Sequence, residues 1–195
     1  GTPATAYAYD TRDRVTRLEV GDFYRIDYVY DFLGRLESMK TPAGMIRYEH
    51  LTDQGKVVRT LPNGVKTIWE YEPNGRLQQI THTNGRNVIL AEYTYQYRAD
   101  GLIEAVRERS GTGEFKRSYE YDVVGRLIKA SGPHGQQQSY DYDPVGNRVT
   151  AAASGQPPET YAYDWVGRLT AVNGKPAEHD GAGNRKVVQR EKGIR

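Results

Sequence analysis

A chain of 195 residues carrying 27 basic and 25 acidic side chains has a formal charge of only +2 and contains no cysteine. That balance gives no basic footprint for nucleic acid, and the missing thiols exclude disulfides and thiolate metal sites. Hydrophobic residues make up 37%, little for a deep core, and no apolar run is long enough to cross a bilayer as a helix.

Taken in order, the chain repeats one pattern: aromatic, any residue, aromatic, then Asp-x-x-Gly. Copies begin at Tyr7, Tyr28, Trp69, Tyr95, Tyr119, Tyr140 and Tyr161, with weaker ones around Tyr48 and His179. A fixed period near 21 residues signals a repeat architecture and outranks any local motif. Fourteen of the 16 tyrosines occupy the two aromatic positions, so they are architecture rather than a scattered surface population. Residues two apart share one face of a strand, so both aromatics of a copy point the same way.

Residues 1–20 hold the first copy, with Asp13 where Gly is expected. The second is clearest: Tyr28 and Tyr30, then Asp31-Phe32-Leu33-Gly34. Asp favours entry to a type I turn, and Gly suits the exit at positive φ, which together predict a hairpin with a glycine bulge. The third copy, Tyr48-Glu49-His50, has one extra residue before Gly55. Trp69 opens the fourth. Residues 81–94 form the longest link. The fifth copy puts Arg98 where Asp belongs. The cleanest copies follow: Tyr119, Tyr121, Asp122 and Gly125; then Tyr140 and Tyr142; then Tyr161, Tyr163, Asp164 and Gly167. A degenerate copy at His179 precedes a basic stretch. All links are too short for crossover helices, so the strands meander antiparallel.

The turn fixes a register: Tyr9 faces Val15, Tyr30 faces Leu36, Tyr71 faces Leu77, Tyr121 faces Leu127 and Tyr163 faces Leu169. Acid–arginine pairs such as Asp31–Arg35 and Asp122–Arg126 then fall on the opposite face. Tyr30, Tyr71, Tyr121 and Tyr163 should be far more buried than Asp31, Glu72, Asp122 and Asp164. One detail resists a flat strand. Apolar residues recur three apart in the second strand, as Leu36 and Met39, Leu77 and Ile80, Leu169 and Val172. A bulge, a strong twist or cover on both faces would each account for it.

The repeated Tyr-x-Tyr-Asp-x-x-Gly-Arg-Leu, best seen at 28–36, 119–127 and 161–169, resembles the RHS or YD repeat family, with wording more bacterial than teneurin-like. The likeness spans roughly residues 7–188, and 140–148 match the family's Gly-Asn-Arg variant. It implies an all-β fold: tandem hairpins forming one long, curved antiparallel sheet, an open segment of a hollow spiral shell. Residues 1–188 would form the repeat sheet of about nine units, and 189–195 a basic tail or truncated next strand. The implied function is non-catalytic: part of a shell that encapsulates a C-terminal toxin or effector in a larger exported polymorphic toxin. Its partners would be the rest of the parent polypeptide and the enclosed domain, with no nucleic acid, membrane span or cofactor. Exposed sheet edges would favour edge-to-edge self-association. The alternative is an extracellular carbohydrate-binding or adhesion module.

Catalytic patterns are missing. Neither the four histidines nor any Ser shows ligand spacing or a Gly-x-Ser-x-Gly elbow. Asp143-Pro144-Val145-Gly146 approximates a family self-cleavage motif but sits inside an ordinary repeat and reads as a turn. Trp165, in a turn, is the one aromatic suited to a sugar.

Overall fold

A computed structural model describes residues 3–180; the basic tail 189–195 and the copy beyond Asp180 lie outside the described residues. The chain is all-β. Seventeen antiparallel strands follow one another in sequence, and the only helical pieces described are single 3₁₀ turns at Thr52–Gln54 and Pro133–Gly135. By contacts the chain divides into two compact units. One comprises residues up to Tyr97 with Val106–Phe115; the other comprises Arg98–Ala105 and residues from Lys116 on.

The first unit contains β1 (Thr5–Tyr9), β2 (Val15–Val20), β3 (Tyr24–Tyr30), β4 (Leu36–Thr41) and β5 (Gly44–Leu51). It continues with β6 (Lys56–Thr60), β7 (Lys66–Tyr71), β8 (Leu77–Thr83) and β9 (Ile89–Tyr97). Each pairs antiparallel with the next. The strands β10 (Ile103–Ser110) and β11 (Gly113–Tyr121) contribute residues to both units. The second unit continues through β12 (Leu127–Ser131), β13 (Gln137–Tyr142), β14 (Arg148–Ala153), β15 (Glu159–Tyr163), β16 (Leu169–Val172) and β17 (Lys175–Pro176). These too pair in sequence.

The hairpins form as their turn chemistry dictates. In the second copy the Asp31 N–H donates to the Arg35 carbonyl at 2.9 Å and the Gly34 N–H to the Asp31 carbonyl at 3.0 Å. Gly34 sits at φ +83°, where a Cβ would be strained. Asp13 fills the same position at φ 57°, tolerable because Asp enters the left-handed region more readily than most residues.

The period-three puzzle resolves as a bulge. Tyr28 pairs with Met39 and Tyr30 with Leu36, the register slipping between Val29 and Tyr30. The same slip brings Trp69 opposite Ile80 and Tyr71 opposite Leu77, and Tyr161 opposite Val172 and Tyr163 opposite Leu169. One extra residue on the second strand returns both aliphatics to the aromatic face.

A conventional core is absent among the described residues: Ile26 and Ala105 are the only buried apolar residues, and no large side chain is fully enclosed. Stability must therefore come from contacts between neighbouring strands and repeats, as in quasi-one-dimensional repeat proteins.

Candidate functional site

The residues that recur are those that join one hairpin to the next. In the second copy, the Tyr30 hydroxyl donates to the Val15 carbonyl of the first at 2.9 Å. Tyr97 donates to Leu77 at 2.6 Å, Tyr121 to Ile103 at 2.9 Å, Tyr142 to Leu127 at 2.8 Å and Tyr163 to Arg148 at 2.9 Å. His50, standing where a tyrosine is expected, places Nε2 2.9 Å from the Leu36 carbonyl. Apart from Ile103, each acceptor is the residue opposite the second aromatic of the preceding copy. The result is a ladder of hydroxyl-to-carbonyl rungs.

The ladder breaks once. Tyr71 is 37% exposed, and among the described residues its hydroxyl has no recorded partner. The preceding copy carries the extra residue of Thr52–Gln54, and there the Tyr71 backbone N–H binds the Gly55 carbonyl instead, at 2.8 Å.

A second contact accompanies most rungs. The Arg14 guanidinium lies 4.6 Å from the centre of the Tyr30 ring, Arg76 4.9 Å from Tyr97, and Arg126 4.8 Å from Tyr142. Arg98 covers Tyr121 at 5.7 Å, so the residue that departs from Asp still supplies the cation. Each such contact contributes roughly 0.5–1 kcal/mol at partly exposed sites.

The turn carboxylates hold those arginines. The Asp122 carboxylate accepts from the backbone N–H groups of Val124 and Arg126 and, at 2.6 Å, from the Arg126 guanidinium. Asp31 and Asp164 repeat the arrangement. Partial loss of water pushes the Asp122 carboxyl up, but the Arg126 N–H and guanidinium outweigh it and hold it below the usual carboxylate range. Asp164 is lowered chiefly by the Arg168 N–H. Burial pushes Tyr97 and Tyr121 up, consistent with hydroxyls that remain protonated donors.

Two expectations are corrected. Arg14, Arg76 and Arg126 do not stay on the opposite face, because their long stems reach the ring of the neighbouring copy; Arg35 reaches the Thr52 hydroxyl instead. Nor are the tyrosines far more buried than the acids. The Asp31, Asp122 and Asp164 side chains are only 17%, 18% and 19% exposed, and Glu72 24%, against 37% for the whole of Tyr71. The carboxylates fold back into their turns, while a one-layer sheet covers only part of each ring.

Of the twelve repeat residues singled out, Tyr30, Tyr121 and Tyr163 bear hydroxyl rungs, Asp31, Asp122 and Asp164 hold arginines, and Gly34, Gly125 and Gly167 exit turns at positive φ. Tyr28, Tyr119 and Tyr161 pair with Met39, Ala130 and Val172. Sequence reasoning missed the rungs. Their signal was present: the second aromatic position holds only Tyr or His, never Phe, from Tyr9 to Tyr163.

Catalytic geometry does not emerge. His82 meets the Thr67 hydroxyl at 3.1 Å and the edge of Tyr93, and no group of three His, Asp or Glu among the described residues could hold a metal. Among the described residues no helix is long and apolar enough to cross a membrane. Trp165 is 94% exposed at its turn tip.

A one-layer sheet of hairpin repeats, most of them bolted to the preceding one by a tyrosine hydroxyl, defines a wall-forming repeat protein. The sequence matches the family described as teneurin YD-shell over residues 1–99 and 82–191, and the chain belongs to that YD-repeat family. Among solved structures, it is similar to a chain of the Photorhabdus luminescens Tc holotoxin pore, with TM-score 0.75, 16% identity and 98% of this chain covered. It is also similar to chains of the TcdB2–TccC3 complex (TM-score 0.64, 15% identity, 95% covered) and of TcdB2–TccC3–Cdc42 (TM-score 0.57, 14% identity, 98% covered). The match spans 12%, 12% and 15% of those three chains. At these identities the likeness establishes the fold. A sequence search of curated proteins gave no match.

Proposed function

We propose that this chain is a non-catalytic wall segment of a larger exported toxin whose YD-repeat shell encapsulates a C-terminal toxin or effector domain used in bacterial competition. Its partners are then the remaining repeats of the parent polypeptide and the enclosed domain, and its place is outside the cell or at its surface. The observation that carries the reading is the rung between consecutive hairpins. A sheet with almost no buried core among the described residues holds together through its neighbours, which suits a thin wall. The fold shared with chains of toxin complexes supports the toxin context.

The test is limited proteolysis of the complete polypeptide that carries these repeats. The segment after the repeats is expected to resist cleavage while the repeats are folded, and to become sensitive when rungs are removed by Tyr121→Phe and Tyr142→Phe together. A downstream segment digested at the same rate with intact and weakened repeats would refute encapsulation.

A further inference from the structure

The second unit carries its exposed apolar side chains on one rim. Among its described residues the large apolar groups left in water are Val123, Val124, Val145, Trp165 and Val166. All five occupy the central positions of successive Asp-x-x-Gly turns, at 122–125, 143–146 and 164–167. The turns of the opposite rim, at 132–136, 154–158 and 173–174, hold only Gly, Pro, Ser, Gln, His and Asn. Consecutive tips stand side by side. The Arg126 guanidinium donates to the Asp143 carbonyl at 3.1 Å, and a Cβ on Gly167 would lie 3.5 Å from the Asn147 side-chain oxygen. Two strand widths, about 10 Å, separate one tip from the next.

Neither the turn nor the fold accounts for this row. Pro73-Asn74 and Ala99-Asp100 fill the same positions elsewhere, so the turn accepts polar residues. Val123 and Trp165 stand almost wholly in water, where an apolar group contributes nothing by burial. A contiguous exposed apolar strip marks a place of contact. The charges beside it are unequally presented. Asp122 and Asp164 fold back into their turns with side chains 18% and 19% exposed, whereas the Arg126 and Arg168 side chains are 33% and 60% exposed.

We propose that this rim docks on a lipid bilayer, its apolar tips entering the boundary between headgroups and acyl chains while the outward guanidiniums meet lipid phosphates. Trp suits that boundary, because its ring is apolar and its N–H finds a polar partner at headgroup level. Separate tips about 10 Å apart form a row of points, which a fluid interface closes around; a protein partner would have to supply a matching socket for each. Carboxylates withdrawn and guanidiniums turned outward give the sign of charge that a phosphate-bearing surface attracts. Strand pairing and the bonds of Asp122 and Asp164 already fix the tips, so docking orders no new segment. Contact of this kind is interfacial and needs no spanning segment. This inference goes beyond the wall reading and does not depend on it.

The test is sedimentation of the full chain with unilamellar vesicles of phosphatidylcholine, alone and mixed with phosphatidylserine. The chain is expected to sediment with both, and more with the anionic mixture. In Trp69→Phe, which leaves Trp165 as the one tryptophan, emission should shift to the blue on adding vesicles and be quenched by lipid brominated on its acyl chains. Val145→Ser combined with Trp165→Ser should lower partition about tenfold or more with the melting temperature unchanged. Val88→Ser, which removes an exposed apolar side chain from a link of the first unit, should leave partition as it was. Arg168→Gln should weaken binding to the anionic vesicles about fivefold and binding to phosphatidylcholine much less. Should the double variant fail to fold, quenching of Trp165 decides alone. A chain that stays in the supernatant at millimolar lipid, that sediments with Trp165 unquenched, or that loses as much binding through Val88→Ser as through the double variant would overturn the proposal. So would a second copy on the rim, seen as a dimer that the double variant dissociates while vesicles go unbound.

Discussion

Removing a single oxygen tests the ladder. Tyr121→Phe deletes only the hydroxyl that donates to the Ile103 carbonyl at 2.9 Å, leaving the ring against Leu127 and beneath Arg98. One such bond contributes about 0.5–1.5 kcal/mol net. The midpoint should therefore move by about 1 kcal/mol, or roughly 2–4 °C in a chain of this size. Tyr121→Ala also removes a half-buried ring. Full truncation of a buried aromatic costs about 3–5 kcal/mol, so half that plus the lost bond gives about 3 kcal/mol. The control is Tyr119→Phe, two residues away on the same strand, whose hydroxyl has no recorded partner among the described residues. It should change stability by less than about 0.3 kcal/mol, as surface changes do. Urea unfolding followed by tryptophan fluorescence at constant m-value measures all three. Equal losses for Tyr121→Phe and Tyr119→Phe would show that the rung contributes nothing and that the ring alone matters.

Further outcomes follow from the same contacts. Asp10, Asp31, Asp122, Asp143 and Asp164 all have carboxyls held below the ordinary value in the folded state. The unfolded chain therefore binds more protons in the acid range; their contribution is complete above about pH 4–5 and lost as pH falls through the folded values. Urea midpoints measured from pH 7 to pH 3 should drop there, less steeply in Asp122→Asn; a flat profile would contradict the turn chemistry. Gly125→Ala forces a side chain to φ +86° and should cost about 1–2 kcal/mol, whereas Asp13→Gly should stabilise by a few tenths of a kcal/mol to about 1 kcal/mol; thermal melts check both. The residues of β1 are all exposed, with Tyr7 55% and Tyr9 58% accessible. Light scattering should show concentration-dependent self-association that Ala8→Lys reduces by charging the strand.

The sequence by itself determined the repeat, its turns and its register. Asp-x-x-Gly specifies a hairpin within five residues, and the spacing of Tyr30 to Leu36 follows from that turn alone, because local backbone chemistry decides which residues face each other. The bulge that aligns Met39 with Tyr28 needed the structure to select it, although the pattern of Leu36 and Met39 carried the signal. What tertiary structure alone decided is how one hairpin meets the next. The Tyr142 hydroxyl finds Leu127, 15 residues away, and Arg126 finds the Tyr142 ring, only because β12 and β13 pair across the link between the two hairpins. No local propensity encodes that meeting: rungs form across separations as different as His50 to Leu36 and Tyr97 to Leu77, while among the described residues none is recorded at Tyr71.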